Sequence, residues 1–273
     1  MRLLLTNDDG IDSVGLHVLA RAMKPFGEVL VIAPDREQSG AGAAVGPLHL
    51  LEPEVHECSL EGIRTAYMVS GTPALCVFLA RLGAFGPPPD LVVSGINPGS
   101  NVGRAIYHSG TVGAALTARN GLISGVAVSQ AVPDLGLEGQ GAEAGRDLQL
   151  WDVAAEVAAQ VVAGLLDRPP GAPLVGNVNV PNLPLHEIKG WREAEVGVVP
   201  PRAMGRARLE ALEGRTGSFR AVMEPGEAQE IPPHLDGGVV SDGYVSISWL
   251  SRMVHEPVPM PAVADRLNAL LPT

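Results

Sequence analysis

Five near-continuous runs of Leu, Val and Ile constrain this chain more than any other feature: RLLLT (2–6), EVLVIAP (28–34), DLVVSGI (90–96), SGVAVSQ (124–130) and APLVGNVNVP (172–181). A strand that is apolar on both faces has to be covered on both faces, and helices connecting parallel strands are the usual cover. The intervals between the runs carry that helical signal. Over 15–27, Leu16, Leu19, Ala20 and Met23 share one face, and Pro25 and Gly27 close the segment. Residues 72–85 read as a helix with Thr72 as N-cap and Pro73 at its first position. Further helices are expected at 111–121, closed by Gly121, and at 151–167. The alternation predicts an α/β fold, a mostly parallel sheet with helices on both faces.

The rest of the chain departs from that rhythm. Residues 47–57 and 63–69 read as a β excursion, and a loop rich in Gly and acidic residues precedes Trp151. Beyond about 185, prolines at 200, 201, 225, 232 and 233 and charged stretches such as RARLEALEGR (206–215) replace the core pattern. The expected division is a catalytic core over 1–185 and an oligomerisation segment over 186–273. The latter comprises an extended hairpin or arm within 186–240, a return strand at 243–250 and a terminal helix at 263–271.

A formal net charge of −11 argues against binding to a nucleic-acid polymer or an anionic membrane. Two cysteines, Cys58 and Cys76, with no Cys-x-x-Cys, support neither a disulfide framework nor a structural zinc site. The opening MRLLLTNDDG turns polar after three leucines, too soon for a signal peptide, so the expected compartment is the cytoplasm.

In open α/β sheets, ligands bind beyond the carboxyl ends of the strands. Three polar clusters follow apolar runs directly: NDDG (7–10), APDREQSGAG (33–42) and SGINPGSNVG (94–103). If the strands are parallel, all three meet at one edge and offer Asp8, Asp9, Ser39, Asn97 and Asn101 as oxygen donors. Taken singly, Asp and Asn after a strand commonly just make turns. Together they form a hard-oxygen set suited to Mg²⁺ or Mn²⁺ rather than zinc. A fourth cluster, HSGTVGAA (108–115), opens a helix whose first turn has no acidic residue. Its free N–H groups are receptive to phosphate; taken alone, Ser109 or Thr111 reads better as a plain N-cap, and beside a dication site phosphate is the better reading. GAGAAVG (40–46) misplaces the third glycine of a dinucleotide fingerprint, and a phosphate-binding P-loop sequence is absent.

Taken in order, LLTNDDGIDSVGL (4–16), APDREQSGAG (33–42), VSGTPALCV (69–77), PDLVVSGINPGSNVG (89–103), SGTVGAA (109–115) and SDGYVSISWL (241–250) resemble the SurE, or survival protein E, family of metal-dependent 5′-nucleotidases and phosphatases. The resemblance implies a Rossmann-like core and one divalent ion per subunit, Mg²⁺ or Mn²⁺, held by Asp8, Asp9, Ser39 and Asn97. It implies hydrolysis of nucleoside monophosphates or related phosphate esters, and a homodimer or homotetramer that exchanges C-terminal elements. On that pattern Asn101, Ser109, Gly110 and Thr111 hold phosphate, Asp8 and Asp9 serve catalysis, and His108 is a candidate proton donor. Two positions depart from the family: His108 stands where Tyr is frequent, and Leu75 replaces a common Asp. The alternatives are a nucleotide-binding sensor without turnover and a phosphatase using Asp8 as a covalent nucleophile. The second favours two aspartates separated by one residue, and here they are adjacent.

Overall fold

The computed structural model describes residues 1–50, 52–132, 148–251 and 260–270; the acidic, Gly-rich loop expected before Trp151 falls mostly outside them. In chain order the elements are β1 (Arg2–Thr6), α1 (Val14–Met23), β2 (Glu28–Pro34), β3 (Val55–Leu60), β4 (Ile63–Val69), α2 (Pro73–Arg81), β5 (Leu91–Pro98), α3 (Gly110–Asn120) and β6 (Ser124–Gln130). They continue with α4 (Trp151–Asp167), β7 (Val175–Val180), β8 (Trp191–Glu193), β9 (Arg202–Ala211), β10 (Phe219–Ala228), α5 (Asp236–Ser241), β11 (Val245–Leu250) and α6 (Pro261–Leu270).

Nine strands form one sheet in the order β3-β4-β2-β1-β5-β6-β7-β11-β8. The stretch from β4 to β7 is parallel throughout, while β3 and β11 are antiparallel to their neighbours β4 and β7. Period-two alternation explains why the apolar runs had to be continuous. Leu3 and Leu5 of β1 enter the core under α1 and α4, whereas Leu4 enters the opposite core with residues of α2 and α3. In β2, Val29, Val31 and Ala33 face one side and Leu30 and Ile32 the other.

Helix α1 buries Leu16, Leu19, Ala20 and Met23 as expected, but ends at Met23 and gives way to a 3-10 turn over 24–26. Pro25 lacks the N–H that another α-turn requires. Thr72 caps α2 by accepting a hydrogen bond from Leu75 N at 3.1 Å. The extended segment expected at 47–57 begins only at Val55, because Pro47 starts a turn closed by Leu50 N donating to Pro47 O.

The hairpin arm is present as β9–β10, an antiparallel ribbon separate from the main sheet, with Leu209, Phe219 and Met223 exposed. Residues beyond 186 also supply β8 and β11 to the nine-stranded sheet. Among the described residues no helix is long and apolar enough to cross a membrane.

Candidate active site at the carboxyl edge of the sheet

At the end of β1 the chain turns sharply. The Asn7 side chain donates to Gly10 O at 3.0 Å, and Gly10 takes φ +98°, a left-handed conformation that favours glycine. This turn fixes Asp8, only 3% exposed, against the start of α3. Its Oδ1 accepts from Thr111 Oγ1 at 2.5 Å and its Oδ2 from Gly110 N at 3.1 Å. Ser109 caps α3, its Oγ accepting from Val112 N at 3.1 Å. Helix α3 has no acidic residue in its own first turn, so a carboxylate from β1 supplies the negative charge its dipole favours. A side chain at Gly110 would place its Cβ 2.7 Å from Asp8 Cβ, so glycine is what permits this approach.

The loop after β2 closes the second side. Gln38 N donates to Asp8 O at 2.7 Å, and Gly42 N to His108 O at 3.0 Å. Gly42 takes φ +55°, and its carbonyl lies where a Cβ on Gly113 would fall. Ser39 is therefore brought next to Asp8, but it is exposed and its hydroxyl donates to Glu37 Oε1 at 2.9 Å.

The third side comes from β5. Ser94 pairs with Ala127 and Asn97 with Ser129, so β5 has one residue more than β6 across that interval. Such a bulge re-aims the side chain beyond it. Asn97 is buried, and its Nδ2 donates to Gly99 O at 2.6 Å; an amide ligates a cation through its oxygen, here Oδ1. Asn101 serves differently. Its Nδ2 donates to Ser129 Oγ at 2.9 Å, its N–H to Asn179 Oδ1 at 2.8 Å, and its carbonyl accepts from the side chains of Asn177 and Asn179.

The structure thus brings Asp8, Gly110 and Thr111 into direct contact, with Ser109, the Ser39 loop and the Asn97 strand end around them. Asp9 is half-buried beside Asp8, and His108 is exposed at the rim. Burial is the main influence on the Asp8 carboxyl and raises its pKa, against the lowering effect of the Thr111 hydroxyl and nearby backbone N–H groups. A buried carboxylate held up in this way is stabilised by a nearby cation.

Among the described residues no three His, Cys, Asp or Glu side chains gather as a metal cluster. The carboxylates of Asp8 and Asp9, the hydroxyl of Ser39 and the amide of Asn97, on the three neighbouring strand-end segments, are nevertheless oxygen donors of the kind a hard dication prefers. The buried Asn7 Oδ1 in the same turn has no hydrogen-bond donor among the described residues, a further oxygen suited to electropositive surroundings. The chemistry of these oxygens is the kind that suits a hard divalent cation.

Several residues that matter here were not anticipated. Ser129, Asn177 and Asn179 hold Asn101; the polar alternation of NVN within an apolar strand was the signal for the two asparagines. Asp236, fully buried, accepts from the backbone N–H groups of Gly103, Gly197 and Gly237 at 2.8–3.0 Å. Nothing local in LDGGVVS marks it for that position.

Comparison with known proteins gives a consistent result. The family model described as survival protein SurE matches residues 3–200. A protein of Erwinia tasmaniensis named 5'/3'-nucleotidase SurE is 36% identical over 250 residues, which span 92% of this chain and 90% of that protein. One of the same name from Escherichia coli O127:H6 is 34% identical over 270 residues, 99% of this chain and 98% of that one. The crystal structure of the Sure protein from Aquifex aeolicus superposes with a TM-score of 0.72 at 31% identity, covering 99% of both chains.

Proposed function

The chain belongs to the survival protein SurE family, and from that premise we propose that it is a phosphoric monoester hydrolase acting on nucleoside 5′- and 3′-monophosphates. The observation that carries the reading is the buried Asp8 carboxylate, seated by Thr111 and Gly110 where three strand-end clusters meet. Asp8, Asp9, Ser39 and Asn97 would hold one divalent ion, Mg²⁺ or Mn²⁺. Once bound, it supplies charge neutralisation for phosphoryl oxygens and acidity for water.

The remaining work falls to the chain. Thr111 and Gly110 orient Asp8, and the burial they help to maintain strengthens its electrostatic interactions. Asp9, less buried, orients the attacking water and accepts its proton as the P–O ester bond breaks. Ser109 Oγ accepts from Val112 N and keeps its own proton to donate to a phosphoryl oxygen. Asn101 holds the loop after β5 through its buried network. His108, at the rim, protonates the departing alkoxide; an unchanged rate and pH profile in His108→Phe would remove that role.

The β9–β10 ribbon leads to a further part of the reading. Two strands alone are marginally stable, and this pair exposes Leu209, Phe219 and Met223. A second copy of the chain is the cover we propose, giving a homodimer or homotetramer. The cytoplasm is the compartment we propose.

Phosphate release from a panel of 5′- and 3′-nucleotides, with Mg²⁺, Mn²⁺ or EDTA, tests the activity. Release that requires metal supports it. A folded protein that releases no phosphate with either metal overturns it in favour of a nucleotide-binding module.

A further inference from the structure

A separate cavity of about 250 Å³ opens at the same edge of the sheet. Its floor is built from residues just past three adjacent parallel strands: Ser100 and Val102 after β5, Ala131 after β6, and Pro181 and Leu183 after β7. Helix α5 closes it from above, with Val240 among the lining residues. Ligands of open α/β sheets occupy this kind of position.

Three observations tie the cavity to the Asp8 site. Ser100 and Val102 flank Asn101, in the loop that begins with Asn97, so one loop borders both places. Strands lie about 4.8 Å apart, so the gap between β6 and β7 is roughly 12 Å across the sheet from β1, a reach that a ribose and base together can make. The cover is also fixed. Asp236 begins α5 and accepts from Gly103 N at 2.9 Å and Gly197 N at 3.0 Å, which binds the helix to the loop after β5. A Cβ at Gly237 would meet Pro201 at 3.3 Å and Val102 at 3.5 Å, so cover and floor are already in close approach there.

The chemistry of the lining selects the kind of guest. Val102, Ala131, Pro181, Leu183 and Val240 offer apolar surface beside the uncharged polar side chains of Ser100, Asn182 and Ser241, and among the described residues no Lys, Arg, Asp or Glu lines the cavity. That environment suits a flat, uncharged ring and is unsuited to a second phosphate. The volume lies below the roughly 300–1,000 Å³ of pockets for drug-sized ligands, which limits the guest to a single small moiety.

We propose that this cavity receives the nucleoside moiety, purine or pyrimidine with its ribose, of a monophosphate whose phosphate lies at Asp8. The inference rests on the hydrolase reading above and extends it to substrate selection. It assigns Val102, Ala131 and Val240 to specificity rather than to bond breaking.

The test fills the cavity from two sides with Ala131→Phe and with Ser241→Trp, at the lining residue that ends α5, each checked for an unchanged melting temperature. Hydrolysis of a nucleoside monophosphate is compared with that of p-nitrophenyl phosphate, which needs only the Asp8 end. Binding of the free nucleosides adenosine and uridine is measured by calorimetry on the same proteins. The expected result is a loss of about tenfold or more in kcat/KM for the nucleotide, equivalent to at least about 1.4 kcal/mol, with p-nitrophenyl phosphate unaffected and nucleoside binding lost. Equal losses on both substrates, or nucleoside binding unchanged in both folded variants, would overturn the assignment. Absence of phosphate release from either substrate by the wild type overturns the hydrolase reading instead, and nucleoside binding then decides the cavity by itself.

Discussion

Replacing Gly110 with alanine adds one methyl group at the most crowded point of the site. That carbon would lie 2.7 Å from Asp8 Cβ and 2.9 Å from Oδ2. Carbon atoms rest at about 3.5–4.0 Å from one another, so Asp8 or the first turn of α3 must retreat by at least ~0.8 Å. The backbone itself raises no objection, since Gly110 is not among the glycines with positive φ. Alanine is also the better helix former by roughly 0.5–1 kcal/mol, which partly offsets an overpacking cost of about 1–3 kcal/mol. The fold should therefore survive while the Gly110 N to Asp8 hydrogen bond lengthens and the carboxylate moves. A displacement near 1 Å in a catalytic group costs about 10²-fold in rate. Measuring kcat/KM on a nucleoside monophosphate beside a thermal melt separates the two effects. A folded Gly110→Ala enzyme with wild-type kcat/KM would refute the reasoning, because it would mean that the position of Asp8 does not matter.

Thr111→Val keeps the shape of the side chain but removes the 2.5 Å donor to Asp8, a bond to a charged group worth about 1.5–3 kcal/mol. Because that hydroxyl lowers the Asp8 pKa, its loss raises it further, and the acid limb of the rate profile should move to higher pH. Asp236 gives a stability test. Burial raises its pKa above the unfolded value, so its favourable contribution is complete at acid pH and is lost as pH rises through the folded pKa. The difference in melting temperature between Asp236→Asn and wild type should accordingly shift in the variant's favour as pH rises, on top of a constant loss of about 1–3 kcal/mol from the Gly103 N–H left facing an amide. A pH-independent difference contradicts that assignment. Replacing residues 204–227 with a short turn should leave the main sheet folded and, if the ribbon joins the proposed oligomer, give a smaller species than the wild type by light scattering; an unchanged mass would contradict that role for the ribbon.

The sheet was readable because its signal is local. Leu3, Leu4 and Leu5 occur together only if both faces of β1 are buried, and the polar NDDG that follows has to lie at a strand end. The hairpin arm was likewise marked by the change in proline and charge beyond 185. What the sequence did not reveal are long-range pairings. Asp8 meets Gly110 and Thr111 across 102 and 103 residues, and Asp236 meets Gly103 across 133. HSGTVG reads as a place for an anion, but only the topology shows that the Asp8 carboxylate accepts from Gly110 N and Thr111 Oγ1 there. The β5 bulge at Ser94–Asn97 was also hidden, since an apolar run records burial and not the register of its partner. The end of α1 at Met23 was set by Pro25 two residues on, a local effect that moved the boundary inward.

The most direct test of the strand-end site is a calorimetric titration of Mn²⁺ into the wild type and into Asp8→Asn, both confirmed as folded. The expected result is one binding event per subunit in the wild type, absent or greatly weakened in the variant, whose carboxylate charge is gone. Equal binding by the two proteins would contradict the account, because the dication would then sit somewhere other than at the buried carboxylate around which the site is built.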